Sequence, residues 1–258
     1  MKLAIMIVVL LLLALSATSG LTEAWAQTTA QTPTGVLRIR VRVKADDAAP
    51  LRGLARKRFF LIPGTLDQNR ALLDAIERQP LVTRNCYYRK LGASQALIEW
   101  LQTSDCESVY CREVEQEFLT GPKAVPEFAT AFAASQKEFG GDETARKWVT
   151  TNLDPNIRDG FYRDRQQVIS ILLKQSAVAV LSVMTDRNGT AYFTELGPGT
   201  YVLSNVIPTE LGQTAVSWNC EVQVKQGDLA TEKPYLVSNR KDRLVKCVGV
   251  EKPLPACE

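Results

Sequence analysis

The chain contains no histidine among its 258 residues, and that absence removes a large share of hydrolytic chemistry. Without an imidazole there is no Ser-His or Cys-His nucleophile pair and no histidine-based zinc hydrolysis. A second close cysteine pair is missing as well. The nearest two, Cys106 and Cys111, stand five apart and have neither a matching pair nor a histidine to complete a structural zinc site, so neither a metal nor another cofactor is expected. The apolar run from Leu3 to about Leu15 falls short of the ~20 residues that span a bilayer. There is no internal repeat.

What the first residues do carry is the layout of a secretory signal: Met1-Lys2, the apolar stretch, then small and polar residues ending in Ala24-Trp25-Ala26. Cleavage after Ala26 predicts a signal peptide over 1–26, a flexible leader over 27–35 and an extracytoplasmic protein, periplasmic or secreted, with no transmembrane segment after cleavage. A bacterial envelope is the expected setting. No cysteine lies near the cut, so lipid acylation has no acceptor there. All six cysteines (Cys86, Cys106, Cys111, Cys220, Cys247 and Cys257) follow the signal, which in an oxidising compartment predicts three disulfides. Their spacing favours one pair within Cys86, Cys106 and Cys111, a Cys220–Cys247 bridge, and Cys257 tied to the remaining early cysteine. The formal charge of +3 is uneven, with eight Arg/Lys between Gln27 and Thr65 against Asp46 and Asp47. Only that stretch can present a cationic surface.

Hydrophobic periodicity divides the mature chain. Val36–Lys44 alternates strictly, which in a strand places Leu37, Ile39, Val41 and Val43 on one face and Arg38, Arg40, Arg42 and Lys44 on the other; a half-buried antiparallel strand is expected. Arg58–Ile62 reads as a second strand. From Leu66 to about Lys174 the period becomes helical. Capping-box patterns at Thr65–Gln68 and Ser104–Glu107 mark helix starts, and further helices are predicted over Ala93–Leu101, Pro126–Phe139, Asp142–Leu153 and Tyr162–Lys174. Strand signals return at Ala177–Met184. Asp186-Arg187-Asn188-Gly189 predicts a tight hairpin turn to Thr190–Thr194, and Ala215–Lys225 and Arg243–Val250 read as later strands.

The residues Ala49-Pro50-Leu51-Arg52-Gly53-Leu54, Thr185-Asp186-x-Asn188-Gly189 and Leu196-x-Pro198-Gly199-x-Tyr201 resemble the carboxypeptidase regulatory-like domain, a transthyretin-like (prealbumin-type) β-sandwich. The resemblance covers Val41–Gly64 and Val178–Gly227, about a third of the chain. It implies an antiparallel β-sandwich, here built from 36–65 plus 176–258; the chain departs from the family by placing an all-α insertion over 66–175 between the second and third strands, which makes the whole an α+β protein. It further implies a non-catalytic accessory or binding module, and a tyrosine at 201 whose hydroxyl bonds back to the corner before it.

Several side-chain groups compete for a functional reading. The row Arg38, Arg40, Arg42 and Lys44 is the candidate binding surface, suited to an anionic envelope polymer or a partner protein; nucleic acid is disfavoured by the compartment. Its alternatives are an ordinary solvated strand face or a surface covered by the helices. Glu107, Glu113, Glu115 and Glu117 are the candidate carboxylates of a glycosidase-like hydrolase, although Glu113 and Glu117 on one helical face also read as a solvated acidic helix. Asp186-x-Asn188-x-Thr190 resembles the front of a calcium loop but has Gly197 where the closing Glu belongs. Trp100, Trp148 and Trp218 read as core before sugar platforms. The expectation is an exported, non-enzymatic binding or structural module of the envelope, with a carboxylate-dependent hydrolase, or an exported inhibitor or chaperone, as alternatives.

Overall fold

A computed structural model describes residues 34–103, 109, 113–176, 179–226 and 233–257. The signal segment, most of the leader, the Ser104–Glu107 helix start, Cys106 and Cys111 lie outside the described residues. Pro33–Glu258 clusters as one unit.

The alternating N-terminal segment forms β1 (Gly35–Val43), with Ile39, Val41 and Val43 fully buried and Arg40 exposed. It is the centre of a mixed sheet rather than a purely antiparallel strand. One edge pairs in parallel with β10 (Tyr235–Ser238). The other pairs antiparallel with β5 (Thr190–Leu196) and then with the two-residue β2 (Arg52–Gly53). β11 (Cys247–Val248) adds beyond β10, meeting the strand expected near there. A second, antiparallel sheet has the order β4 (Leu181–Met184), β3 (Arg58–Pro63), β6 (Gly199–Ser204), β9 (Asn219–Val224). A third joins β12 (Val250–Pro253), β8 (Thr214–Ser217) and β7 (Thr209–Leu211). The predicted strand over 215–225 is thus two strands, broken at the fully buried Trp218, whose amide donates to Asn205 Oδ1 instead of to a ladder.

Residues facing inward from the first two sheets, among them Ile39, Val41, Phe59, Leu61, Phe193 and Leu203, share one buried cluster with Trp218. The unbroken apolar run Phe59–Ile62 has a reason: β3 is buried on both faces. Its other face, through Phe60 and Ile62, meets Leu72, Ile76, Ile169 and Leu172. These come from α1 (Arg70–Glu77) and α6 (Phe161–Gln175). Between them lie α2 (Arg84–Lys90), α3 (Gln95–Gln102), α4 (Pro126–Phe139) and α5 (Asp142–Trp148), which enclose a second core around Tyr88, Trp100, Phe128 and Phe161.

All six α-helices among the described residues fall between β3 and β4, and those two strands pair directly, Arg58 to Met184 through Leu61 to Leu181. The helical segment therefore leaves and returns at adjacent strands. Counting β2, it follows the third strand, not the second. The Thr65–Gln68 capping box forms reciprocally, with Thr65 N–H to Gln68 Oε1 at 2.8 Å and Gln68 N–H to Thr65 Oγ1 at 3.2 Å, yet regular helix starts only at Arg70. α2 was not anticipated; Thr83 caps it by accepting from the Cys86 amide. The region of Glu113, Val114 and Glu115 has no helix, and only Gln116–Phe118 makes a 3-10 turn.

The Asp186–Gly189 turn also departs from expectation, because it makes no hairpin: β4 pairs with β3 while β5 pairs with β1, so the turn carries the chain from one sheet to the other. Asp186 Oδ1 accepts from the amides of Asn188 and Thr190, each at 2.8 Å. The turn is then docked on β1, where Val41 N–H donates to Gly189 O at 2.7 Å and Val41 O accepts from Leu54 N–H at 3.1 Å. Glycine is required on both sides of that contact. A Cβ at Gly189 would lie 2.3 Å from Val41 O, and one at Gly53 would lie 2.3 Å from Asn188 O. Beside them Thr185 Oγ1 accepts from Lys57 N–H and donates to Leu54 O at 2.6 Å.

Gly53→Ala and Gly189→Ala should each lower stability by about 3 kcal/mol or more, as backbone cannot yield like a side chain. Gly92→Ala, at φ +75° but in open space, should cost only about 1–2 kcal/mol. Urea midpoints of the three variants check this, and equal losses would refute the steric account.

A cleft between the helices and the strands

Three distant segments converge on a cleft of about 440 Å³. α1, α2, α6 and the 79–82 link supply Ile76, Val82, Tyr87 and Val168; the link from β6 to β7 supplies Val206 and Ile207; the last strands supply Val248 and Val250. Val206 holds φ at +56°, an unusual conformation for a β-branched residue. Its surroundings fix it there: its amide donates to Ser204 Oγ at 2.9 Å, while Asn205 Nδ2 donates to Val216 O at 2.9 Å and Asn205 Oδ1 accepts from Trp218 N–H.

The walls are tied together by specific bonds. Arg84, on α2, is buried with Glu210 of β7, its amide 2.8 Å from Oε1 and its Nε 3.4 Å from Oε2, and its Nη1 donates to Leu101 O. Glu77 on α1 pairs with Lys252 on β12. Cys86, next to the cleft residue Tyr87, is bonded to Cys257 beyond β12, with Cα atoms 5.1 Å apart. A second disulfide, Cys220–Cys247, joins β9 to β11. The sequence spacing is met by these two bonds, including the tie of Cys257 to an early cysteine.

Polar groups along the cleft are largely committed to one another. Tyr87 OH donates to Asp164 Oδ2 at 3.2 Å, and Asp164 Oδ1 also accepts from Arg163. Ser204 Oγ donates to Asn219 Oδ1 at 2.6 Å. The Arg165 guanidinium lies over the Phe161 ring, 4.8 Å from its centroid. The Tyr87 phenol keeps its proton to a higher pH than an ordinary tyrosine, first because it is partly buried and then because Asp164 sits beside it.

No protein-family model matches the chain. No curated protein matches it either. Among solved structures it is similar to a "putative carbohydrate binding protein" from Pseudomonas aeruginosa, at 16% identity and TM-score 0.31 over 81% of this chain and 90% of that one. It is also similar to the pilus backbone of Streptococcus pneumoniae, at 11% identity and TM-score 0.23 over 81% of this chain and 41% of that one.

The residues picked out in the sequence lie elsewhere. On the outer face of the first sheet, Arg38 stacks over Tyr192 at 5.8 Å, Arg42 donates to Leu51 O at 3.1 Å and Lys44 Nζ to Asp47 O at 3.4 Å. Arg40 is exposed. These contacts run to β5 and the 47–51 loop and not to the helices. Glu113 and Glu115 are exposed in irregular chain, and Glu117 pairs with Lys123 at 2.8 Å; Glu107 is outside the described residues. The shared helical face proposed for Glu113 and Glu117 therefore does not exist. Trp100 and Trp218 are core, whereas Trp148 is 46% exposed and stacks on Phe139 at 5.3 Å. Among the described residues no cluster of three acidic or cysteine side chains is placed to hold a metal. Asp186, the calcium candidate, spends its Oδ1 on backbone amides.

Replacing Cys257 by Ser should cost about 2–5 kcal/mol for a bond closing so long a loop, read as a lower midpoint in non-reducing urea titrations. Tyr87 and Tyr235, the latter also raised by burial, should titrate late in an ultraviolet phenolate titration. Since the folded pKa of Tyr87 is raised, its contribution to stability is whole below the ordinary phenol value of 10.0 and is lost as pH climbs through the folded value. Tyr87→Phe should remove one late-titrating phenol, and an unchanged profile would contradict the placement.

Proposed function

We propose that the protein is an exported module of the bacterial envelope that binds and does not catalyse, built as a carboxypeptidase regulatory-like β-sandwich interrupted by a helical insertion over 66–175. Support for the sandwich comes from the motif itself. Its halves, around Gly53 and around Gly189, meet on Val41, and Tyr201 OH donates to Gly197 O at 2.8 Å, the corner bond that the resemblance implies. Support for an insertion comes from the pairing of β3 with β4, which brings the two ends of the helical segment together. The two disulfides suit an oxidising compartment.

One observation carries binding over catalysis. A hydrolase of the carboxylate type needs two acids facing a shared space, whereas the carboxylates at the cleft, Glu77 and Asp164, are committed to Lys252 and to Tyr87 with Arg163. What the cleft offers instead is apolar surface within the size range of ligand sites. The cationic face around Arg40 is a secondary contact surface for an anionic envelope polymer or a partner protein, and Arg40→Glu with Arg38→Glu should weaken any salt-dependent association it makes.

Native mass spectrometry of protein exported by its own cell should reveal a non-covalently bound species that the Val168→Asp, Val250→Asp double variant loses. Turnover of a glycoside substrate that disappears in Asp164→Asn would replace this reading with the hydrolase.

A further inference from the structure

We infer that the occupant of the cleft is the aliphatic chain of a single-chain amphiphile, a fatty acid or a lysolipid, and not a saccharide. This rests on the binding reading above and names its ligand.

The lining suits sugars poorly in two ways. Saccharide recognition depends on many donors and acceptors waiting for hydroxyls, and a buried group already paired within the protein gains little by exchanging partners. Here Ser204 is bonded to Asn219, Asn205 to Val216 and the Trp218 amide, and Tyr87 to Asp164. Aromatic platforms are also scarce. Tyr87 and Phe161 contribute, but the Phe161 face is occupied by Arg165, and most of the remaining apolar lining is aliphatic.

The same features suit a hydrocarbon chain. Val82, Val168, Val248 and Val250, all cleft residues, are between 42% and 62% exposed. Four aliphatic side chains left in water around one opening mark a site whose apolar area is completed by something else, and covering them with hydrocarbon is favourable in proportion to the area removed from water. Charge at the cleft cancels, with Glu77 and Asp164 against Arg165 and Lys252, so the part of the ligand that enters is neutral and any headgroup stays at the mouth. The volume of about 440 Å³ lies toward the small end of ligand cavities, roughly 300–1,000 Å³, which favours one chain over the two of a diacyl lipid.

The test uses the mature protein and the neutral fluorophore 1-N-phenylnaphthylamine, with palmitate, lysophosphatidylcholine and cellohexaose as competitors below their aggregation concentrations. Saturable fluorophore binding displaced by palmitate or lysophosphatidylcholine, but not by cellohexaose, is expected; displacement by palmitate alone assigns a free fatty acid, and by both assigns the chain whatever its head. Val168→Asp with Val250→Asp should weaken fluorophore binding about tenfold or more, since a charge would have to be desolvated or displaced. Val82→Asp provides an independent variant should the double one fold poorly by thermal unfolding, and Lys137→Glu, exposed on α4 and outside the cleft, should bind as the wild type does. Displacement by cellohexaose, or unaltered binding in both cleft variants, overturns the inference. Absence of displacement while native mass spectrometry still finds a bound species sinks the amphiphile alone. Absence of both sinks the binding reading with it.

Discussion

The junction of the two main sheets depends on how Val41 is bonded. Its amide goes to Gly189 and its carbonyl to Leu54, so a single residue of the central strand holds the chain before the helices and the chain after them. The contact is backbone against backbone, with Gly53 and Gly189 admitting the approach, and it is closed off from water beside the fully buried Leu54. Unpaired amides in such a place are costly, which makes the joint all-or-none. Register follows from it: once Gly189 is seated on β1, β5 must run along the same edge that β2 leaves, and β4 must fall beside β3.

The helical segment is held by a different kind of bond. Its first and last helices bury apolar faces on the outer side of β3, and its second is fixed by the Arg84–Glu210 pair. Arg84 is buried and Glu210 largely so, and losing Glu210 would leave the guanidinium desolvated without this partner. With the Cys86–Cys257 bond and the Glu77–Lys252 pair, this sets the distance between helices and final strands, and that distance is the width of the cleft. The cleft is a by-product of joining two cores that do not fuse.

Local signals made much of this legible in the sequence. Alternation in β1, the Thr65–Gln68 box, the Asn-Gly turn and the Tyr201 corner all act over a few residues, and each appears where its residues are. Phe59–Ile62 was readable as a strand, but not as one buried on both sides, since that depends on helices docking from the chain that follows. The turn at Asp186–Gly189 stands where its residues predict one but links two sheets, because turn chemistry specifies a reversal and says nothing about which sheet each flank joins. The cleft had no local signal at all. Val82, Val168 and Val250 are ordinary aliphatic residues until three segments meet, and the arginines that drew notice through their spacing are largely engaged by neighbouring groups.

The parallel pairing of β1 with β10 has a consequence for how this chain reaches its fold. β1, the first strand among the described residues, pairs with a strand near the other end of the chain, so its sheet is complete only when both ends are present. The helical core around Trp100 and Phe128 can close from its own residues. One core is thus assembled from contacts within a single stretch of sequence and the other from contacts across nearly all of the described chain, and the loop that must be closed to form the second is much the longer.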